Sequence, residues 1–315
     1  MPTLFDQSIF KYNDLGYYTS GDLGVGPNIG YRWLIWLLSI KSIDEWLPIF
    51  LAFSINIFID IGWIYLLSKY INTRALLVFA VLLGSQPYAA IYTIKFSTII
   101  FAKIGLLFFC RELFNDKLSY TKQKILSLWD FLFWTIISLL RNSNLFIAVP
   151  YLFLKLRKKP IFAILISLGF LIFFYFLSGG LGPLIESDRP WSLIYMKELL
   201  GLNYNLIVLP LLFIARVILL FGAREKVYGE GIEPFLIWGI PGLELCIYIF
   251  LGVMQFLGFY ISFRFFYKRY GFPTLIILIP LILALITVTH QRYLIPFIPI
   301  CLFGISLLFN KSSLK

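Results

Sequence analysis

A recurring length constrains this chain more than any single motif. Apolar runs near the 18–20 residues that a helix needs to cross a bilayer core return between residue 46 and the C-terminal tail. Hydrophobic residues make up 60% of the chain and charged residues only 14%, against about 45–50% and about 25% in soluble domains. The expected fold is all-α: a polytopic transmembrane bundle of about nine spanning helices, with interfacial helices on the outer face. It forms one transmembrane domain over residues 1–315.

The runs divide at short polar punctuation. Spans are expected at residues 46–67, 75–92 and 96–113, then at 125–139 and 144–154, two shorter crossings hinged on RNSN at 141–144. Four more are expected at 161–178, 243–263, 274–288 and 294–309. Basic residues gather in alternate connections: Lys69 with Arg74, Lys117 with Lys122 and Lys124, KLRKKP at 155–160, RFFYKRYG at 264–271, and Lys311 with Lys315 in the tail. Positive charge marks cytoplasmic loops, so these connections are assigned inside. The N-terminal tail, the loop at Lys95, the RNSN hinge, the stretch after Ser178 and the loop at His290 then fall outside. Counting from either end of the chain gives this frame, and a multi-pass protein of the cell (inner) membrane follows from it.

Two stretches do not fit simple crossing. Residues 206–221 are apolar enough, but a crossing there would invert everything downstream, and they contain Pro210 and Arg216. The expectation is a helix lying at the outer interface or dipping into it, within an outer segment 179–242. Residues 31–40 are too few to span and read as a surface helix within an outer segment 1–45. The first thirty residues are too polar for the apolar core of a signal peptide. The tail is therefore either carried across with the first span or preceded by a further helix upstream.

A net charge of +11 would raise nucleic acid as a partner for a soluble domain. Here membrane topology accounts for it, and no nucleic acid is expected. Cys110, Cys246 and Cys301 all lie in apolar runs, which argues against a disulfide framework or a metal site. GDLGVGPNIG at 21–30 holds a Gly-x-Gly, but no strand precedes it, so it reads as a flexible loop and not as a dinucleotide fingerprint.

The outer face collects Asp6, Asp14, Asp22, Lys95, Arg141, Glu186, Asp188, Arg189, His290 and Arg292. Topology does not call for the bases among them. Asp6 and Asp14 are either solvated tail carboxylates or a general base for an acceptor hydroxyl, and they could also ligate a divalent cation. Lys95 and Arg141 are either snorkelling anchors or cations suited to a phosphate or pyrophosphate. His290, alone in the chain, cannot build a metal site without partners, so no metal site is assigned. With Arg292 it either caps a helix end or holds a phosphate oxygen. Tyr293, with Pro296 and Pro299, fixes the start and kink of the last span. Asp60, Asp130 and Glu244 are candidates for ionisable residues in mid-span, the feature a transporter would favour.

Three stretches together resemble the GT-C superfamily of integral-membrane glycosyltransferases, and the membrane polysaccharide polymerases of similar architecture. Asp6 lies about 25 residues ahead of a surface helix led by Gly-Tyr, GYRWLIWLLS. Arg141, at an outer helix end, leads into LFIAVPYLFLKLRKK. HQRYLIPFIPI is similar to the Arg-Tyr-hydrophobic-hydrophobic-Pro stretch ahead of the last helices of bacterial members. The resemblance implies a catalytic carboxylate in the first outer loop, matched by Asp6 and next by Asp14. It implies that the region of Arg292 contacts the donor phosphate, and Lys95, Arg141, His290 and Tyr293 join it as substrate-binding candidates. It also implies a polyprenyl-phosphate-linked sugar donor, a glycan or lipid-linked acceptor, and extracytoplasmic chemistry in cell-envelope glycan synthesis. The chain departs from the family where Gln7 follows Asp6 in place of a second acid. The alternatives are a polymerase or ligase of lipid-linked polysaccharide, resting on Arg141 and Arg292, and a non-catalytic transporter or flippase.

Overall fold

The computed structural model describes residues 30–31, 33–34, 46–85, 97–115, 128–156, 158–177, 217, 220–221, 241–286 and 293–310. Among these, every regular element is helical. Nine α-helices follow in order: α1 (Trp46–Leu67), α2 (Thr73–Ser85), α3 (Ile99–Phe114), α4 (Leu128–Leu140), α5 (Leu145–Leu156), α6 (Pro160–Leu177), α7 (Pro241–Tyr270), α8 (Leu278–Ile286) and α9 (Ile298–Leu307). Three windows within them, Phe50–Leu67, Pro160–Leu177 and Phe250–Tyr270, are long and apolar enough to cross a membrane. At about 1.5 Å per residue, α1 rises about 33 Å and α6 about 27 Å, close to the thickness of a hydrocarbon core. The outward side chains of α6, such as Ile161, Leu165 and Phe176, are exposed and apolar, which is what lipid as a solvent allows.

Most helices fall where the apolar runs put them, with Trp46–Leu67 the same at both ends. One expectation is corrected. RFFYKRYG at 264–271 was read as a loop, whereas α7 stays helical to Tyr270. Aromatic rings four residues apart stack along it, Phe259 on Phe263 at 6.2 Å and Phe263 on Tyr267 at 6.0 Å. Phe266 also lies parallel to Phe303 of α9 at 5.2 Å. The helix ends at Gly271, whose φ of 67° suits a residue without Cβ and whose N–H donates to the Tyr267 carbonyl. The two helices after it open as 3-10 turns, Phe272–Ile277 and Ile295–Phe297, each with proline near its start. Proline has no N–H to leave unpaired there.

The helix ends sort into two layers. At one end the Tyr70 hydroxyl donates to the Phe114 carbonyl at 3.0 Å, and the Tyr70 and Tyr270 hydroxyls meet at 2.9 Å. Asn310 Nδ2 donates to the Tyr70 carbonyl, and the Arg269 guanidinium lies 5.0 Å from the Tyr70 ring. The α1–α2 turn and the C-terminal ends of α3, α7 and α9 therefore share one layer. Lys155 of α5 joins it through a buried ion pair to Glu112 of α3, 3.2 Å long, with 1% and 3% of the two side chains exposed. At the opposite end lie the start of α3, the hinge between α4 and α5, and Tyr293. Successive helices among these thus alternate in direction.

Small residues set the tightest packing. On α7, Gly258 and Ser262 are one turn apart, and both face α9. A Cβ at Gly258 would overlap the Cys301 carbonyl, and one at Gly304 would overlap the Gly258 carbonyl. The Ser262 hydroxyl donates to the Ile300 carbonyl. Lipid gives apolar helices no hydrophobic reason to associate, so close backbone approach and interhelical hydrogen bonds must do it.

Of residues 206–221, expected at the outer interface, only Val217, Leu220 and Phe221 lie among the described residues. Leu220 and Phe221 are buried, and the Phe221 ring rests on Phe256 and Phe259 of α7. Of the surface helix expected at 31–40, Tyr31, Trp33 and Leu34 are described and helical, as is Gly30 before them. Gly30 approaches Leu139 of α4 so closely that a Cβ would sit 2.9 Å from it, and the Tyr31 ring packs edge-on against Phe101 of α3.

Candidate functional site at the Arg141 end

Most charged side chains among the described residues crowd the Tyr70 end. Lys69, Arg111, Lys158, Arg264, Lys268 and Arg269 are examples. Arg141 sits at the other end, and the local sequence explains how it is held. At RNSN the backbone leaves the helix: Arg141 is extended, with φ −153° and ψ 111°, and Asn142–Asn144 forms one 3-10 turn before α5 starts. Ser and Asn side chains compete with helix hydrogen bonds, which favours a break at such a run. Asn144 closes the break. Its Nδ2 donates to the Ile137 carbonyl of α4 at 3.0 Å and to the Phe101 carbonyl of α3 at 3.1 Å, and its side chain fills the space a Cβ at Gly105 would need.

The Arg141 side chain does not snorkel. Only 8% of the residue is exposed. Its Nε donates to the Ser143 hydroxyl at 2.8 Å and its Nη1 to the Thr98 hydroxyl at 2.6 Å. The Tyr293 ring lies 5.7 Å from the guanidinium carbon, within cation–π range. An anchor would send its head to water along a mobile stem. This guanidinium is instead tied between the first turn of α3, the hinge and the start of the last helix.

Of the residues singled out from the sequence, Arg141 and Tyr293 are thus brought together. Asp6, Asp14, Lys95, His290 and Arg292 lie outside the described residues. Gly30 and Tyr31, which lead the surface helix, dock against Leu139 and Phe101, two residues from Arg141 and three from Thr98 in the chain. All three stretches that carry the family resemblance therefore place residues at this end.

The sequence marks Ser143 only as part of the RNSN hinge and gives Thr98 no role. A Ser-Thr pair ahead of an apolar run marks a helix start, and SerThr at 97–98 is such a pair. What no local signal gave is the partner, 43 residues away.

A second polar group lies within the helices. Lys103 of α3 is buried and donates to Asn56 Oδ1 of α1 at 2.7 Å, while Asn56 Nδ2 donates to the Ala52 carbonyl. Asp60, one turn further along α1, interacts electrostatically with Lys103. Asp60 stands out in the sequence, whereas Lys103 is hidden in an apolar run. Asp130 lies in the first described turn of α4. The buried Glu112–Lys155 pair is the third such group, and it too was unforeseen. Among the described residues no three His, Cys, Asp or Glu side chains gather as metal ligands. Cys110 and Cys301 are buried free thiols.

No family model, curated protein or solved structure matches the chain. What fold and site define is a class: an all-helical bundle of membrane-grade composition, with charge crowded at one end and a buried, tethered guanidinium at the other.

Proposed function

We propose that the chain is a membrane glycosyltransferase of cell-envelope glycan synthesis. It crosses the cell (inner) membrane about nine times, with the Arg141 end outside. It moves a sugar from a polyprenyl-phosphate-linked donor to an extracytoplasmic glycan or lipid-linked acceptor. The single observation that carries this reading is the convergence at one end of the Gly30–Tyr31 helix start, Arg141 and Tyr293, described residues of the three stretches that resemble the GT-C superfamily.

In this reading Asp6, or next Asp14, takes the proton from the acceptor hydroxyl. The hydroxyl oxygen attacks the anomeric carbon as the bond to the lipid phosphate breaks. Negative charge grows on the departing phosphate, and cations near it, Arg141 and Arg292, lower the barrier. Lys95, His290 and Tyr293 complete the donor side. A divalent cation at the carboxylates is compatible with this chemistry and not required by it.

The test is sugar transfer from a polyprenyl-phosphate donor by purified protein. Transfer is expected in the wild type, with losses of roughly 30- to 1000-fold in Arg292→Ala and in Asp6→Asn, as removal of one transition-state contact or the base costs. Full activity in both variants, correctly folded, would refute the assignment. A second reading is transport, favoured by the Asn56–Lys103 bond and Asp60 within the helices. Flux of a lipid-linked sugar across proteoliposomes without transfer would support it.

A further inference from the structure

Thr98 stands at the residue before α3, where a threonine hydroxyl ordinarily accepts a hydrogen bond from its own helix. Here it makes no such cap. The first-turn N–H groups are met without it: Ile99 by the Ser97 hydroxyl, Ile100 by the Ser97 carbonyl and Phe101 by the Thr98 carbonyl. The Thr98 hydroxyl is turned instead to Arg141 Nη1, while the Ser143 hydroxyl takes Nε. Two hydroxyls on two separate elements fix the plane of a guanidinium, and the Tyr293 ring stands beside it. The Arg141 backbone is fixed as well. Its N–H donates to the Ile137 carbonyl, its carbonyl accepts from the Asn144 N–H, and the Asn144 side chain straps the hinge to α3.

We propose that Thr98, assisted by Ser143, is a positioning residue that holds the Arg141 guanidinium in one orientation for the phosphate of a lipid-linked substrate. The inference rests on the functional reading above. A long side chain that is already immobile loses little further freedom when the anion arrives, so its contact adds more to affinity than that of a mobile one. Charge-assisted hydrogen bonds to a guanidinium are also directional, so a rotation that leaves it in place still weakens the phosphate contact.

The experiment titrates the purified full chain with a short-chain polyprenyl phosphate and, in parallel, with the corresponding polyprenol. Thr98→Val is expected to weaken polyprenyl phosphate about tenfold while leaving polyprenol unchanged. A purely structural role would move both together. Thr98→Ser, which keeps the hydroxyl, should restore phosphate binding, and Ser143→Ala should weaken it in the same selective way. If Thr98→Val does not fold, Ser143→Ala carries the comparison. Thr98→Val and Ser143→Ala proteins that bind the phosphate as the wild type does, while Arg141→Ala loses it, would overturn the positioning role alone. A wild-type protein that binds polyprenyl phosphate no better than polyprenol would overturn the functional reading, and the positioning role with it.

Discussion

Replacing Gly304 with alanine should loosen the bundle where α7 and α9 cross. The added Cβ would overlap the Gly258 carbonyl and lie 2.8 Å from the Ser262 hydroxyl. The obstacle is backbone, so no rotamer change relieves it and the helices must part. Overpacking of this kind costs about 1–3 kcal/mol. Separation also stretches the Ser262–Ile300 hydrogen bond, worth about 1 kcal/mol. Alanine returns up to about 1 kcal/mol in helix propensity. The balance is a loss of about 2 kcal/mol. Gly258→Ala, which meets the Cys301 carbonyl, should lose a similar amount. Two internal controls come from the same chain: Gly84 in α2 and Gly169 in α6 have nothing within 4 Å of an added Cβ, so alanine there should be neutral or slightly stabilising. Gly62 should fall between, because its Cβ would meet only the movable end of Leu107. Equilibrium unfolding in mixed detergent micelles, followed by circular dichroism, measures all five. If Gly304→Ala and Gly258→Ala unfold at the same denaturant fraction as Gly84→Ala, the close crossing of α7 and α9 does not exist.

Other outcomes follow from the polar groups. Lys155→Met should lose about 3–5 kcal/mol by leaving Glu112 buried without its ion pair. The double variant Glu112→Gln/Lys155→Met should recover most of that loss in the same unfolding measurement. A cysteine at Lys158, an exposed residue of the Tyr70 end, should be shielded from an impermeant thiol reagent in sealed, right-side-out spheroplasts until they are permeabilised, and one at Trp33, which is half exposed, should react before. Reaction in the reverse order would invert the assigned orientation.

The helices were legible because lipid imposes a length. A run that must cross has to be long, apolar and continuous, and Trp46–Leu67 and Pro160–Leu177 carry that requirement in one stretch of sequence. Helix ends were less legible. The α7 end at Tyr270 depends on rings stacked along the helix and against Phe303, and a count of apolar residues stops at the charges before it sees them. The site was legible only in part. Arg141 stood out as a cation on the face where topology does not call for one, and Tyr293 lay beside another. Their meeting, and the choice of Thr98 and Ser143 as the groups that hold the guanidinium, depend on the packing of α3 against the hinge. The same holds for Lys103 with Asn56 and for Glu112 with Lys155. Lys103 lies in a stretch whose apolar neighbours hide it and Lys155 in a basic cluster that topology already explains, and each finds its partner on another helix.

Photo-crosslinking tests the central claim most directly, that the Arg141 end receives a lipid phosphate. A polyprenyl phosphate carrying a photoreactive group beside the phosphate would be irradiated with the purified protein and the adducts mapped by mass spectrometry. The account predicts adducts in the peptides containing Thr98, Arg141 to Asn144, and Tyr293, competed away by unlabelled polyprenyl phosphate and absent in Arg141→Ala. Adducts confined to lipid-facing positions such as Ile161, Leu165 and Phe176 of α6, or gathered at the Tyr70 and Arg269 end, would contradict it.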